Sequence, residues 1–119
     1  MSSKVLVVED NESAREMLCA LLRSNGFKVV HAENGRAGYD KAKDERPDLI
    51  ITDLCMPILD GIDMIKLIRK HADFANVPIL ALTAFKGELM TRAIKAGADR
   101  ALQKPIDFDY FVNAIERLV

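Results

Sequence analysis

Five polar residues stand where apolar runs break off: Glu9 and Asp10 after KVLVV, Asp53 after DLIIT, Thr83 closing VPILALT, and Lys104 after RALQ. Three carboxylates sharing one pocket repel each other unless protons or a cation intervene, and a hard divalent cation with oxygen ligands is the usual resolution. Magnesium is the natural candidate. Thr83 offers a hydroxyl donor and Lys104 a mobile positive charge, a pair suited to holding an anion beside the metal. A phosphoryl group fits that description. Asp53, between metal and anion, is then placed as a nucleophile whose attack on phosphorus gives an acyl phosphate. Positioning and charge neutralisation are the main demands of phosphoryl transfer, so little further machinery is required.

Whether the five residues meet depends on the elements that carry them. Short β-branched runs alternate with segments of helical period along the whole chain. Behind KVLVV, the residues Ala14, Met17, Leu18, Leu21 and Leu22 recur on one helical face, and Asn25 with Gly26 closes that helix. A strand near FKVVHA, a helix from about Gly35 to before Pro47, and the strand DLIIT follow. A helix over about 62–71, the strand VPILALT, a helix over 88–96 ending at Gly97, and the short strand RALQ come next. A last helix is marked by Phe111, Val112, Ile115, Leu118 and Val119. Five strands, each followed by a helix, predict an α/β fold with a parallel sheet covered on both faces. The carboxyl ends of parallel strands share one edge, where ligands bind at the topological switch point. The five polar residues should converge there.

Composition narrows the setting. A chain of 119 residues makes one domain able to fold without staples. Cys19 and Cys55 form no CxxC pattern, and with only His31 and His71 as further ligands, structural zinc is disfavoured. The first residues, MSSKVLVVED, lack the apolar core of a signal peptide, and no window approaches the ~20 apolar residues of a membrane span. A soluble protein in the reducing cytoplasm is expected. With 17 basic against 18 acidic residues and no basic stripe, direct nucleic-acid binding has no support.

The order and spacing of VVEDN, TDLCMPILDG, LTA and KPI resemble those of response-regulator receiver domains, the phosphorylatable half of two-component signalling. The resemblance covers the whole chain. It implies a flavodoxin-like, doubly wound sheet of strand order 2-1-3-4-5 with five helices, and residues 1–119 as one receiver domain with no output domain, either a single-domain protein or a receiver excised from a longer chain. It also implies Asp53 as phosphoacceptor, with Thr83 and Lys104 contacting the phosphoryl oxygens. Mg²⁺ would be held by Asp10 directly, by Glu9 mainly through water, by Asp53 and by the backbone carbonyl of Cys55. The Lys104–Pro105 peptide would be cis. Expected partners are a histidine kinase or histidine phosphotransferase as donor and a downstream protein that responds, since the signal would leave by protein contact.

Two positions depart from the family pattern. Where a Tyr or Phe often stands three residues before the lysine, this chain has Ala101, so an aromatic rotamer switch is impossible there. Two residues after Thr83 stands Phe85, either a ring that covers the pocket or an ordinary apolar residue at a helix start. Cys55, two residues past Asp53, is read as a small packing residue, and its thiol would orient an attacking water poorly. A long-lived phosphorylated state is therefore expected. Cys19 reads as core, His31 as a surface or core histidine following a strand, and His71 as a cationic partner for a helix C-terminus. Tyr39, Tyr110 and Phe108 read as packing or half-exposed residues, and KAKDERPD as a solvated helix face.

Three other functions fit less well. A flavodoxin-like electron carrier needs a phosphate cradle after the first strand, where Glu9 and Asp10 would repel it. A haloacid-dehalogenase-type phosphohydrolase needs a general acid where Cys55 stands. A receiver-like module that only docks partners would be expected to have lost part of the acidic pair, Asp53 or Lys104. This points to a signalling switch that catalyses its own modification rather than a turnover enzyme.

Overall fold

The computed structural model describes residues 3–85 and 87–119. Met1 and Ser2, the first residues of the segment read for a leader, and Lys86 lie outside them. Five parallel strands, β1 (Lys4–Val8), β2 (Lys28–Ala32), β3 (Leu49–Asp53), β4 (Ile79–Thr83) and β5 (Arg100–Gln103), pair in the order β2-β1-β3-β4-β5. The helices are α1 (Glu12–Ser24), α2 (Gly35–Glu45), α3 (Gly61–Lys70), α4 (Glu88–Ala96) and α5 (Phe108–Leu118), with a 3₁₀ turn at Ala72–Phe74. The expected fold class and strand order are observed. Among the described residues no helix is long and apolar enough to cross a membrane.

The inner strands β1, β3 and β4 read as apolar runs because both of their faces are buried, whereas the edge strands β2 and β5 are partly exposed and carry polar residues. Alternation along β1 sends Leu6 and Val8 to one core, with Ile50, Met64, Ile65, Ile68 and Ala93, and Val5 and Val7 to the other, with Leu18, Leu22, Phe111 and Ile115. Four of the five helices begin on a side-chain cap: Asn11, Asn34, Asp60 and Asp107 accept from the amides of Ala14, Ala37, Asp63 and Tyr110. Each cap satisfies an otherwise orphaned N–H and sets where the chain turns from strand end to helix.

Some side chains face elsewhere than their spacing predicts. Met17 is 50% exposed although it shares the period of Leu18 and Leu22. Neighbours on a helix lie ~100° apart, and Leu18 with Cys19 takes the buried stripe. Val119 is likewise exposed, while Ala114 is buried in α5. His31 lies within β2 rather than after it, opposite Val7, with its side chain in solvent. His71 serves the chain through its ring nitrogen: Nδ1 accepts from the amide of Asp73, and the ring packs 4.8 Å from Phe74. His71 thus stands at the C-terminus of α3, as expected, and also caps the 3₁₀ turn that follows. In KAKDERPD Ala42 and Pro47 are buried, and Glu45 pairs with Lys4 at 3.2 Å.

The segment joining β3 to α3 is folded tightly. The amide of Gly61 donates to Leu54 O at 3.0 Å, and a Cβ at Gly61 would sit 2.3 Å from the carbonyl oxygen of Asp53. Only a residue without a side chain permits that approach. Within the loop, Leu59 N donates to Pro57 O at 2.8 Å across Ile58, whose φ is 72°. This is a γ-turn of the rarer, positive-φ kind, centred on a β-branched residue that is 81% exposed.

Two substitutions in this loop should therefore act with opposite signs. Gly61→Ala should destabilise the fold by about 2 kcal/mol through backbone overpacking, seen as a lower denaturant midpoint at unchanged slope. Ile58→Gly should stabilise it by about 1 kcal/mol, because glycine has no Cβ to oppose a positive φ and no buried contact is lost. That gain corresponds to a melting temperature higher by about 4 °C.

Candidate functional site

The carboxyl edge of the sheet gathers the predicted residues. Glu9 follows β1 and is 1% exposed, and the next residue, Asp10, is exposed. Asp53 is the last residue of β3, its side chain 12% exposed. One carboxylate oxygen from each of Glu9, Asp10 and Asp53 lies within 4.8 Å of the others. Lys104, just past β5, reaches the cluster from across the sheet, with Nζ 2.7 Å from Glu9 Oε1 and 3.6 Å from Asp53 Oδ2. Its peptide bond to Pro105 is cis.

Glu9 and Asp53 are held by neighbours the sequence did not single out. Asn11 caps α1 with its side chain and also donates its amide to Glu9 Oε2 at 3.1 Å. Arg15, on α1, donates to the backbone carbonyl of Glu9 at 2.9 Å. The amide of Leu54 donates to Asp53 Oδ1 at 2.9 Å, and the buried hydroxyl of Thr52 donates to Asp53 O at 2.8 Å. Their signal in sequence is weak, for it consists only of adjacency to Glu9 and Asp53. Gly61, in the quoted TDLCMPILDG stretch, lets α3 begin directly against the backbone that carries Asp53.

Thr83 ends β4 one position beyond Leu82, which lies opposite Asp53 in the sheet register. It is fully buried, its carbonyl accepts from Lys104 N at 2.7 Å, and its Oγ1 accepts from Phe85 N at 3.0 Å. Phe85 is 60% exposed, so its ring stands largely in solvent. Cys55 is also exposed, two residues beyond the end of β3, and is not the packing residue its size suggested. Cys19, in contrast, is buried as expected. Ala101 lies in β5, half-buried against the core that includes Ala81.

The electrostatics follow from this crowding. Burial on its own would lower the Lys104 pKa, but the hydrogen bond to Glu9 and the charges of Asp53 and Glu9 outweigh it and raise the pKa above its ordinary value. Lys104 is a fixed cation in this site. At Cys55, partial desolvation and then the carboxylates of Asp53 and Asp60 push the thiol pKa up, against a smaller opposing pull from Lys104. The thiol stays protonated, which makes it a poor nucleophile. The oxygen-only set of Glu9, Asp10 and Asp53 suits a hard divalent cation of the magnesium or calcium class and not a softer, thiolate-seeking metal.

Known proteins are similar to this chain in sequence and in fold. The chain is 30% identical over 118 residues to the polar-differentiation response regulator DivK of Brucella anthropi, a match spanning 98% of this chain and 95% of that protein. It is 37% identical over 121 residues to the phosphate regulon transcriptional regulatory protein PhoB of Klebsiella pneumoniae, covering all of this chain and 52% of that protein. It thus spans about half the length of PhoB. Among solved structures, the receiver domain of the sensor histidine kinase PA1611 from Pseudomonas aeruginosa PAO1 superposes with a TM-score of 0.91 at 31% identity, covering 99% of this chain and 98% of that one. Magnesium is coordinated in its active-site cleft. Residues 5–116 match the family described as response regulator receiver domain, and the chain belongs to that family.

Proposed function

We propose that this receiver domain takes a phosphoryl group from a histidine kinase or histidine phosphotransferase onto Asp53, with Mg²⁺, and thereby changes its binding to a downstream protein. The observation that carries the reading is the meeting of Glu9, Asp10, Asp53 and Lys104 at one edge of the sheet, from three separate strands. The magnesium in the cleft of the PA1611 receiver domain supports the metal assignment. A cytoplasmic location fits a receiver served by such donors.

Each residue has a role that its surroundings favour. A carboxylate oxygen of Asp53 attacks phosphorus, the bond to the donor histidine nitrogen breaks, and an acyl phosphate remains on Asp53. When bound, Mg²⁺ supplies positive charge to the transferring phosphoryl oxygens. Asp10, exposed and without a side-chain hydrogen bond among the described residues, is free to ligate it directly. Glu9 has both carboxylate oxygens engaged, by Lys104 and by the amide of Asn11, which favours contact with the metal through water. Asp53 and the backbone carbonyl of Cys55 complete the protein ligands. Lys104 and the hydroxyl of Thr83 hold the phosphoryl oxygens. Turnover as a phosphohydrolase is disfavoured by the protonated, exposed thiol at Cys55, which offers no general acid comparable with a carboxyl.

Incubation with a small acyl phosphate tests the reading, with phosphate incorporation followed by intact mass. Labelling should require a divalent cation and vanish in Asp53→Asn, which keeps the shape of the side chain but not the nucleophile. Metal-independent labelling of that variant at the same position would remove the assignment. In a magnesium titration, Asp10→Asn should weaken binding more than Glu9→Gln.

The lifetime of the acyl phosphate depends on a water lined up opposite the leaving carboxylate. Cys55 is a weak hydrogen-bonding group and Phe85 offers none in its side chain, so neither recruits that water well. Decay of the phosphorylated protein, measured with Mg²⁺ present after removal of the donor, should quicken about tenfold in the Cys55→Asn, Phe85→Ser double variant. That corresponds to roughly 1.4 kcal/mol of barrier. Equal decay in variant and parent would show that water access at these two positions does not set the lifetime.

A further inference from the structure

Arg15 is a cation beside an acidic site, yet its recorded hydrogen bond is to a carbonyl: Nη1 donates to Glu9 O at 2.9 Å. With that bond, every polar atom of Glu9 is engaged. Its amide donates to Ala32 O at 3.0 Å, Oε1 accepts from Lys104 at 2.7 Å, and Oε2 accepts from Asn11 N at 3.1 Å. Lys104 and Asn11 fix the side chain, and Ala32 fixes the start of the residue. Arg15 alone of the four fixes its end.

That end is the peptide unit joining Glu9 to Asp10. A peptide is planar, so a hydrogen bond that fixes the carbonyl oxygen also fixes the direction of the following N–H and the place of the next Cα. Asp10 has no side-chain hydrogen bond of its own among the described residues, and its exposed carboxylate is oriented through its backbone. The guanidinium can reach this carbonyl because Arg15 lies on α1, which Asn11 caps immediately after the acidic pair.

We propose that Arg15 is a positioning residue for the metal site: by clamping the Glu9–Asp10 peptide it aims the Asp10 carboxylate at the cation. The proposal rests on the reading of Glu9, Asp10 and Asp53 as the Mg²⁺ site. It separates cleanly from a bulk charge effect, because the two have opposite signs. Removing a nearby positive charge by electrostatics alone should tighten cation binding. Removing a clamp should loosen it, as the loss of groups that orient metal ligands commonly does by tenfold or more.

The test is a magnesium chloride titration of the whole chain, followed by the amide resonances of Asp10 and Asp53, on the parent, Arg15→Met and Arg15→Lys, with thermal unfolding measured in parallel. Arg15→Met should raise the dissociation constant about tenfold. Arg15→Lys keeps the charge and a donor on a shorter reach, so it should fall between Arg15→Met and the parent. The melting temperature of Arg15→Met should fall by about 4 °C, since one part-buried hydrogen bond is lost. If Arg15→Met fails to fold, the Arg15→Lys titration decides by itself, and an affinity equal to the parent's overturns the proposal. Unchanged or tighter binding in a folded Arg15→Met protein overturns it as well, while leaving the metal site in place. A parent protein whose Asp10 and Asp53 amides do not respond to magnesium overturns both the metal site and the role of Arg15.

Discussion

The structure depends on keeping negative charge at the buried edge of a sheet. Glu9 is almost fully enclosed, and an unpaired carboxylate in such a place would cost several kcal/mol. Lys104 makes the burial tolerable, arriving from the far side of the sheet to sit 2.7 Å from Glu9 and within reach of Asp53. The pair joins the residue after β1 to the residue after β5 across β3 and β4, so strand order and charge balance constrain each other. One ammonium facing three carboxylates leaves the cluster short of positive charge. That shortfall gives a divalent cation something to bind.

The loop beyond Asp53 shows how closely the position of its carboxylate is tied to backbone detail. Asp53 is held by the Leu54 amide on its side chain and by the Thr52 hydroxyl on its carbonyl. Gly61 packs against that same carbonyl, and the amide of Gly35 donates to Leu59 O at 3.0 Å, which fastens the far side of the loop to the start of α2. A loop secured at both ends can accommodate a positive φ at Ile58 in its middle, because the surrounding hydrogen bonds over-determine the path.

Much of this was legible in the sequence. Burial on both faces leaves the inner strands as apolar runs, and caps and glycines punctuate the helices, so α4 was placed at its observed ends, 88–96. The convergence of Glu9, Asp10, Asp53 and Lys104 followed from topology, since strand ends in a parallel sheet share an edge. Orientation was less legible. Whether Met17 or Cys19 takes the buried stripe of α1 depends on how the helix is rotated on the sheet, and periodicity gives only its period. The exposure of Cys55 depends on the path of the loop after β3, and the bond from Arg15 to Glu9 O depends on a side chain folding back along its own helix. These are tertiary facts, set by the partner that packs opposite rather than by residue type and spacing.

The buried hydroxyl of Thr83 has a mechanical side. A hydroxyl carries one proton and two lone pairs, and here one lone pair is occupied by the amide of Phe85. The proton is free to go to another acceptor without breaking that bond. Any inward pull on the oxygen is therefore passed to the backbone of Phe85, whose ring lies mostly in water. Thr83 and Phe85 form a short crank: a displacement made in the dry interior is turned, one hydrogen bond later, into movement of an aromatic ring at the surface. Ala101 is too small to serve as a lever in β5, whereas the exposed ring of Phe85 stands one hydrogen bond from the buried hydroxyl that ends β4.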